Sequence, residues 1–223
     1  NGVDPRRFAA ASEQDGLDSS IRARLRGRCV VGFVGSLKPW HGTETLLEAF
    51  RALRPSTPGV HLLVVGDGPG RAQLESCVRT DGLGDSVTFT GAVPHDEIPR
   101  FLAAMDIATA PYTPNSNFYF SPIKIFEYMA MGKPVVAGRI GQIEELVTDG
   151  ETALLHEPGN VAALAATLAR LVRDAALRRT IGEAGRAWVR KERTWSANAD
   201  RVAGIARELV ATRTRDCEGA GTA

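Results

Sequence analysis

Residues 111–137 decide the fold of this chain and read PYTPNSNFYFSPIKIFEYMAMGKPVVA. A polar and aromatic loop leads to Ser121, which is a favourable helix N-cap, and Pro122 fits the first helical position, where its missing N–H costs nothing. Helical spacing continues over residues 123–131, and the apolar residues 135–137 then read as a short buried strand. This order of loop, helix and buried strand is typical of an α/β domain.

The predicted helix also presents the chemistry of an anion site at its N-terminal end. Its free amides and the positive end of its dipole point back at the preceding loop, and Lys124 adds a mobile positive charge in the first turn. One turn further along, Glu127 offers two acceptor oxygens, as a ribose diol requires. The alternative is an ordinary amphipathic helix that packs Phe126, Met129 and Ala130 on a sheet. The two interpretations are compatible because they use different parts of the helix.

Apolar runs alternate with helical segments along the chain. The runs typical of strands lie within residues 29–34, 61–65, 86–90, 106–111, 135–137 and 149–155. This alternation predicts a single Rossmann-like α/β domain with a parallel sheet of about six strands, helices on both faces and extra C-terminal helices. Ligands of such sheets bind at the carboxyl ends of the strands. Residues 35–42, 92–98 and 121–127 all follow strands, so we expect them to meet in one nucleotide pocket.

The segment after the first strand, residues 35–42, suits a phosphate group. Gly35 lets the backbone approach a pyrophosphate closely, the next helix begins with free amides, and Lys38 supplies a positive charge. Taken alone, the segment would be a plain strand-to-helix connection with a surface lysine and a packed Trp40. Together with the helix at residues 121–127, it favours phosphate.

Other polar residues also follow predicted strands. The GDGP turn at residues 66–69 lacks the spacing of a dinucleotide fingerprint, and for Arg71 a phosphate contact and a surface role are both open. Residues 95–97, His-Asp-Glu, invite a metal or acid–base interpretation. Because they follow Pro94, first-turn residues that complement a helix dipole are the stronger interpretation.

The composition excludes several classes of function. Lys and Arg number 27 against 26 Asp and Glu, a formal net charge of +1, so no global field attracts nucleic acid. Cys29, Cys77 and Cys217 show neither a disulfide framework nor metal-ligand spacing, and a reducing cytoplasm is the simplest inference. No apolar run approaches the roughly 18 residues of a membrane span. Peripheral membrane contact through a parent enzyme stays open, although the basic residues 186–193 are better explained as a solvated helix face.

The ordered pattern S-P-x-K-x-x-E-Y-M-A-x-G-K-P-V-V at residues 121–136 closely resembles the donor-binding segment of family-4 glycosyltransferases with the GT-B fold. These are retaining enzymes that take a sugar from a nucleoside diphosphate and do not depend on a metal. The resemblance implies that the chain forms one half of a GT-B fold, its C-terminal donor-binding domain. It also implies that a UDP- or GDP-sugar binds as substrate and that no cofactor is needed.

The resemblance assigns roles to individual residues. Lys38 and Lys124 are expected to neutralise the leaving diphosphate in catalysis, and Glu127 is expected to bind the ribose. Val93 and its backbone groups are expected to contact the nucleobase. The full set expected to bind the donor is Gly35, Ser36, His41, Gly42, Asp67, Arg71, Val93, Pro94, Ile98, Tyr119, Phe120, Ser121, Pro122, Ile123 and Glu144.

Three positions depart from the family pattern. Members often carry two glutamates eight positions apart, and the first of these falls at Tyr119, so we expect a loop amide near residues 117–120 to contact the donor sugar instead. The family also places an arginine and a lysine in the first loop, at positions that are Ser36 and His41 here. Lys38 and Lys124 are therefore expected to carry more of the charge.

By the same resemblance, residues 1–8 are expected to end an interdomain linker and residues 9–211 to form the donor-binding domain. Residues 212–223, at the terminus, are expected to be a disordered tail. The acceptor-binding N-terminal domain would precede residue 1, so this chain alone is expected to bind donor and catalyse little or nothing. Two alternatives are a GT-B nucleotide-sugar epimerase and a Rossmann-type sensor that binds a nucleotide without chemistry. The pattern at residues 121–130 argues against the epimerase.

Overall fold

A computed structural model describes residues 1–8, 16–114 and 121–219, with side chains described as far as residue 210. The strands in these ranges are β1 (Cys29–Val34), β2 (Val60–Val65), β3 (Val87–Phe89), β4 (Ile107–Ala110), β5 (Val135–Gly138) and β6 (Leu154–His156). The α-helices are α1 (Ser19–Leu25), α2 (Thr43–Leu53), α3 (Arg71–Thr80), α4 (Ile98–Ala103), α5 (Ile123–Ala130), α6 (Gln142–Leu146), α7 (Val161–Arg173), α8 (Ala175–Glu192) and α9 (Trp195–Gly219).

The six strands form one parallel sheet in the order β3-β2-β1-β4-β5-β6. This confirms the predicted Rossmann-like sheet of about six strands. The strand order reverses between β1 and β4, and the connections from these two neighbours run to opposite faces of the sheet. A crevice therefore opens at their carboxyl ends, where open α/β sheets bind ligands.

Helices cover both faces of the sheet and create two cores. Along β1, Val30 and Val34 face a core shared with α1, α4 and α5, whereas Val31 and Phe33 face a core shared with α2, α3 and α7. This alternation follows from the two-residue period of a strand. Because both faces are buried, the strands are predominantly apolar, as their sequences predict. The buried polar exceptions are His61, Thr88, Thr109 and His156.

The segments at the two ends of the described chain are packed or helical. The Val3 N–H donates to the Arg193 carbonyl at 2.8 Å, and both Val3 and Phe8 are buried in the first core. Residues 1–8, which the sequence assigns to a linker, therefore pack on the domain. Helix α9 continues to Gly219, past the predicted domain end at residue 211. No described helix combines the length and apolar character that crossing a membrane requires.

The start of α5 corrects one prediction. Ser121 is not its N-cap and Pro122 is not its first residue, because the helix begins at Ile123. The Ile123 N–H donates to the Ser121 carbonyl at 2.9 Å, and Pro122 has φ −82° and ψ 58°. These values describe an inverse γ-turn. The turn satisfies the first amide with the Ser121 carbonyl, which displaces the hydroxyl cap that the sequence predicts.

Candidate functional site

A buried tyrosine fixes α5 against the end of β1. The Tyr128 hydroxyl accepts from the Val34 N–H at 2.9 Å and donates to the Val34 carbonyl at 3.2 Å. Pairing between β1 and β4 ends at Phe33 and Thr109. On the β4 side of the strand, this hydroxyl therefore replaces the hydrogen-bond partner that Val34 lacks. The first turns of α5 are thereby held beside the loop that follows β1.

We expect Tyr128→Phe to lower the free energy of unfolding by about 2 kcal/mol. The substitution removes one hydroxyl and leaves a buried N–H and a buried carbonyl of Val34 without that partner. Equilibrium chemical denaturation of the two proteins, monitored by circular dichroism, measures the difference. Equal unfolding free energies would contradict the anchoring role of this hydroxyl.

Lys124, in the first turn of α5, lies half-buried among aromatic rings in the crevice. Its Nζ is 4.5 Å from the centre of the Phe33 ring and 5.6 Å from that of Tyr112. A Cβ on Gly35, whose φ is +148°, would lie 2.8 Å from this Nζ, so a side chain there would displace the ammonium. Among the described residues, no carboxylate oxygen comes within 4.0 Å of it.

The surroundings of Lys124 disfavour its charge in the absence of a ligand. Burial lowers the pKa of Lys124 to about 7, and the charge of Glu127 opposes this shift only in part. The faces of the two aromatic rings attract the ammonium. They do not replace the water that burial removes, and a bound anion would supply the missing compensation.

His41 is a neutral neighbour of this lysine. Its Nδ1 lies 2.7 Å from the Ser36 carbonyl oxygen, and since a carbonyl only accepts, Nδ1 carries the hydrogen and donates it. The 3.5 Å approach of the Lys124 Nζ to the same Nδ1 is then a contact without a hydrogen bond. Burial, followed by the charge of Lys124, lowers the pKa of His41 to about 4. The imidazole is therefore uncharged at pH 7.

Tyr112 connects the loop after β4 to the loop after β1. Among the residues described, it alone combines a side chain with a positive φ, 48°, a conformation that non-glycine residues adopt at a cost. Its N–H donates to the His41 carbonyl at 3.1 Å, and the Thr113 N–H donates to the Trp40 carbonyl at 3.2 Å. Gly42 packs so closely on Tyr112 that a Cβ would lie 2.9 Å from its backbone. These contacts place the Tyr112 ring beside Lys124.

Glu127, one turn after Lys124, pairs with a residue from a third loop. Its Oε1 is 2.8 Å from the His95 Nε2, and the side chains are 10% and 59% exposed, respectively. Helix α4 begins at Ile98, so the prediction of His95 as a first-turn residue is wrong. The Glu97 N–H donates to the Pro94 carbonyl at 3.0 Å, and this separate turn directs His95 towards α5.

The GDGP turn packs directly on the first loop. The Leu37 N–H donates to the Asp67 carbonyl at 2.9 Å. The Asp67 carboxylate pairs with Arg71 at 2.9 Å, and Arg71 also pairs with Glu75 at 2.8 Å. Both side chains that the sequence offers to the donor are thus engaged with each other.

Two further predicted residues have other contacts. Lys38 is exposed, with its Nζ 4.8 Å from the centre of a ring of Trp40. Glu144 lies 3.6 Å from Arg139, and its side chain is 57% exposed. Neither contact links these residues to Lys124.

The remaining predicted residues differ in exposure. Val93 is half-buried and Pro94 is exposed, whereas Ile98 is buried in the first core, where packing accounts for it. Ile123 is an exposed apolar residue at the start of α5. Tyr119 and Phe120 lie outside the described residues.

Sequence reasoning did not identify Phe33 or Tyr112 as parts of the site, and it included His95 only as a member of the loop at residues 92–98. Tyr112 follows the end of β4 and His95 lies within residues 92–98, so position at the carboxyl edge of the sheet was the available signal. Phe33 reads as a core residue of β1, and nothing in its sequence context distinguishes its ring. In the part of the chain that is described, no group of three or more His, Cys, Asp and Glu residues could hold a metal ion.

Known sequences match most of this chain. A family model described as "Glycosyl transferases group 1" matches residues 28–174. The 2-deoxystreptamine glucosyltransferase of Streptomyces kanamyceticus is 35% identical over 86% of this chain and 49% of its own length. A GDP-mannose-dependent alpha-(1-6)-phosphatidylinositol monomannoside mannosyltransferase of Mycobacterium tuberculosis strain H37Rv is 32% identical over 95% of this chain and 56% of its own length. The chain spans about half the length of these relatives.

Solved structures share the fold. HepE from Anabaena, crystallised with UDP and glucose, superposes with a TM-score of 0.78 at 27% identity over 93% of this chain and 55% of its own. The C-terminal domain of a glycosyl transferase group 1 family protein from Francisella tularensis has a TM-score of 0.71 at 25% identity and is covered to 97%, against 85% of this chain. These matches are consistent with the C-terminal half of a GT-B fold.

Proposed function

The chain belongs to the glycosyl transferases group 1 family, and from that premise we propose that it is the donor-binding lobe of a retaining glycosyltransferase. Its substrate is a nucleoside-diphosphate sugar. The groups that bind the acceptor lie in the part of the relatives' length that this chain does not cover. On its own, the chain binds donor and catalyses little or no transfer.

One observation carries this proposal, the state of Lys124. A half-buried ammonium lies at the switch point of the sheet, against the backbone of Gly35, with no carboxylate of the described residues within 4.0 Å. A diphosphate brings the negative charge that this position lacks. The Ile123 and Ile125 N–H groups already donate to carbonyls, so we propose that the Lys124 N–H in the first turn of α5 and the Ser36 N–H in the loop after β1 donate to the same anion.

The chemistry of transfer assigns each residue a role. The bond between the anomeric carbon and the β-phosphate oxygen breaks, and the diphosphate leaves with the electron pair. The acceptor oxygen bonds to the same carbon, and its proton passes to an oxygen of the departing diphosphate. Negative charge grows on the diphosphate, so Lys124 stabilises the transition state more than the ground state. Glu127 binds the ribose, and Lys38 adds a solvent-screened charge.

Retention of configuration and independence from metal are proposed from the resemblance of residues 121–136 alone. The nucleobase of the donor is proposed to be either uracil or guanine. The HepE crystals contain UDP, whereas the mycobacterial relative is named as GDP-mannose-dependent. We therefore propose that the donor is a UDP- or GDP-sugar, and the binding experiment below includes both nucleotides.

Calorimetric titration of the chain with UDP, GDP, ADP and their sugar conjugates tests the function. We expect one base to bind selectively and Glu127→Ala to weaken that binding about tenfold, because a charge-assisted hydrogen bond to the ribose is lost. Glu183→Ala, at an exposed position on α8, is the matched control and should bind as the unaltered chain does.

Two results would contradict the proposal. If the folded protein bound none of these ligands, this chain would not be a lobe that binds the donor with its own residues alone. Selective nucleotide binding that ignores both Glu127→Ala and Lys124→Met would place the nucleotide elsewhere, as a sensor module would.

A further inference from the structure

We propose that His95 is a positioning residue, which fixes the Glu127 carboxylate for recognition of the donor's ribose; this rests on the proposed function. The contact joins two elements that are separate along the chain, the loop after β3 and helix α5. It makes ribose recognition depend on a loop that does not itself carry the ribose-binding carboxylate.

The geometry gives the contact a direction. The His95 Nε2 and the Glu127 Oε1 are 2.8 Å apart, and because a carboxylate only accepts, Nε2 carries the hydrogen that is donated. An ionised carboxylate has about four acceptor positions. One is used by His95, and the hydroxyls of a ribose can bind others while the group stays oriented.

Glu127 needs such a partner because its backbone is fixed in place, whereas its side chain is free to rotate. The backbone is rigid, since the next residue, Tyr128, is hydrogen-bonded to the end of β1. The glutamate side chain has three rotatable bonds, and ordering it on ligand binding would cost affinity. With His95 in place, that ordering is complete before the nucleotide arrives.

The loop is built to present His95. The Glu97 N–H donates to the Pro94 carbonyl at 3.0 Å, so His95 occupies a central position of a tight turn whose first residue is proline. Ile98, the residue that follows the turn, is buried in the core and fixes the far end of the turn. The imidazole is 59% exposed and the carboxylate 10% exposed, so His95 covers Glu127 from the solvent side.

The test compares a nucleoside diphosphate with ligands that lack the ribose 2′-hydroxyl or the whole nucleoside. The chain, His95→Ala and His95→Gln are titrated with UDP, 2′-deoxy-UDP and inorganic pyrophosphate, and in parallel with GDP and 2′-deoxy-GDP. We expect His95→Ala to weaken binding of the preferred ribonucleotide about tenfold. Pyrophosphate should bind as before, and the preference for ribose over deoxyribose should fall towards one. His95→Gln, whose amide can donate to Glu127, should restore most of that preference.

The outcomes separate the two proposals. An unchanged ribose preference in His95→Ala, or an equal loss for pyrophosphate, overturns the role of His95 and leaves the proposed function standing. Failure of the unaltered chain to bind either ribonucleotide overturns both. Asp96→Asn, an exposed substitution in the same turn, controls for a general change of the loop and should keep the full preference.

Discussion

We expect Lys124→Met to weaken binding of the preferred nucleoside diphosphate by about 100-fold. Methionine keeps an unbranched, flexible side chain between Phe33 and Tyr112 but has no charge. A charge-assisted hydrogen bond to phosphate contributes roughly 1.5–3 kcal/mol. The upper part of that range applies here because the ammonium is half-buried, with no carboxylate within 4.0 Å in the described part of the chain. Isothermal titration calorimetry measures the change.

The control for this substitution is Lys191→Met, whose ammonium is on a side chain that is 83% exposed on α8. It removes the same charge from the chain and should leave the affinity within about twofold, since exposed charges are screened by salt. Equal losses in the two variants would show a non-specific effect of net charge. Affinity that survives Lys124→Met would mean that amides alone bind the phosphates.

Lys124→Met should also stabilise the ligand-free protein or leave its stability unchanged. The lysine loses solvation on folding, which is why burial lowers its pKa, and methionine has no such loss. Thermal unfolding of the two proteins without ligand therefore distinguishes lost binding from lost folding. A marked fall in the melting temperature would assign a structural role to the ammonium.

The parts of this molecule that sequence predicts well are those set by local patterns. Apolar runs and helical spacing located the six described strands and α5, because a strand buried on both faces is predominantly apolar and a helix repeats every 3.6 residues. Because ligands of parallel sheets bind at the carboxyl ends of the strands, the sequence also predicted that Gly35 and Lys124 lie in one crevice. The order of the strands is not written in any local pattern, since it depends on which faces the connecting helices cover.

The details of the site depend on contacts between distant residues, which periodicity does not encode. Lys124 and Phe33 are 91 positions apart, by their numbers in the sequence, and meet only because β1 and β4 are neighbours. Tyr112 adopts its positive φ because its backbone is hydrogen-bonded to His41. His95 reaches Glu127 because a turn ends before α4 begins. Propensity alone would have continued the helix to include it.

These contacts explain how the site can lack the two cations that the family resemblance leads one to expect at Ser36 and His41. The Ser36 carbonyl holds the neutral His41 ring, and that ring is one wall of the position that Lys124 occupies. Of the two lysines proposed to face the diphosphate, Lys38 is exposed and Lys124 is half-buried. A site with one partly desolvated ammonium responds to pH in a way that a site with arginines does not.

Affinity for the nucleotide should fall as pH rises above 7, with a slope that approaches tenfold per pH unit, so that binding at pH 9 is up to about 50-fold weaker than at pH 7. Burial lowers the pKa of Lys124 to about 7 in the free protein. A bound diphosphate places negative charge beside the ammonium and raises that pKa. Above pH 7 the complex therefore holds a proton that the free protein has lost. Well below pH 7 both states hold this proton, and the contribution of Lys124 to the pH dependence disappears.

Calorimetry at pH 8 in two buffers of different ionisation enthalpy counts this proton directly. We expect uptake of close to one proton per nucleotide bound by the unaltered chain and almost none by Lys124→Met. The phosphate groups of the ligand do not account for the uptake, because their last pKa lies near 6. Glu127→Ala, which removes a neighbouring negative charge that favours the ammonium, should shift the onset of the fall to lower pH. An affinity that stays constant from pH 7 to 9 would mean that Lys124 remains fully charged in the free site, and the aromatic surroundings would then favour the cation more than its burial disfavours it.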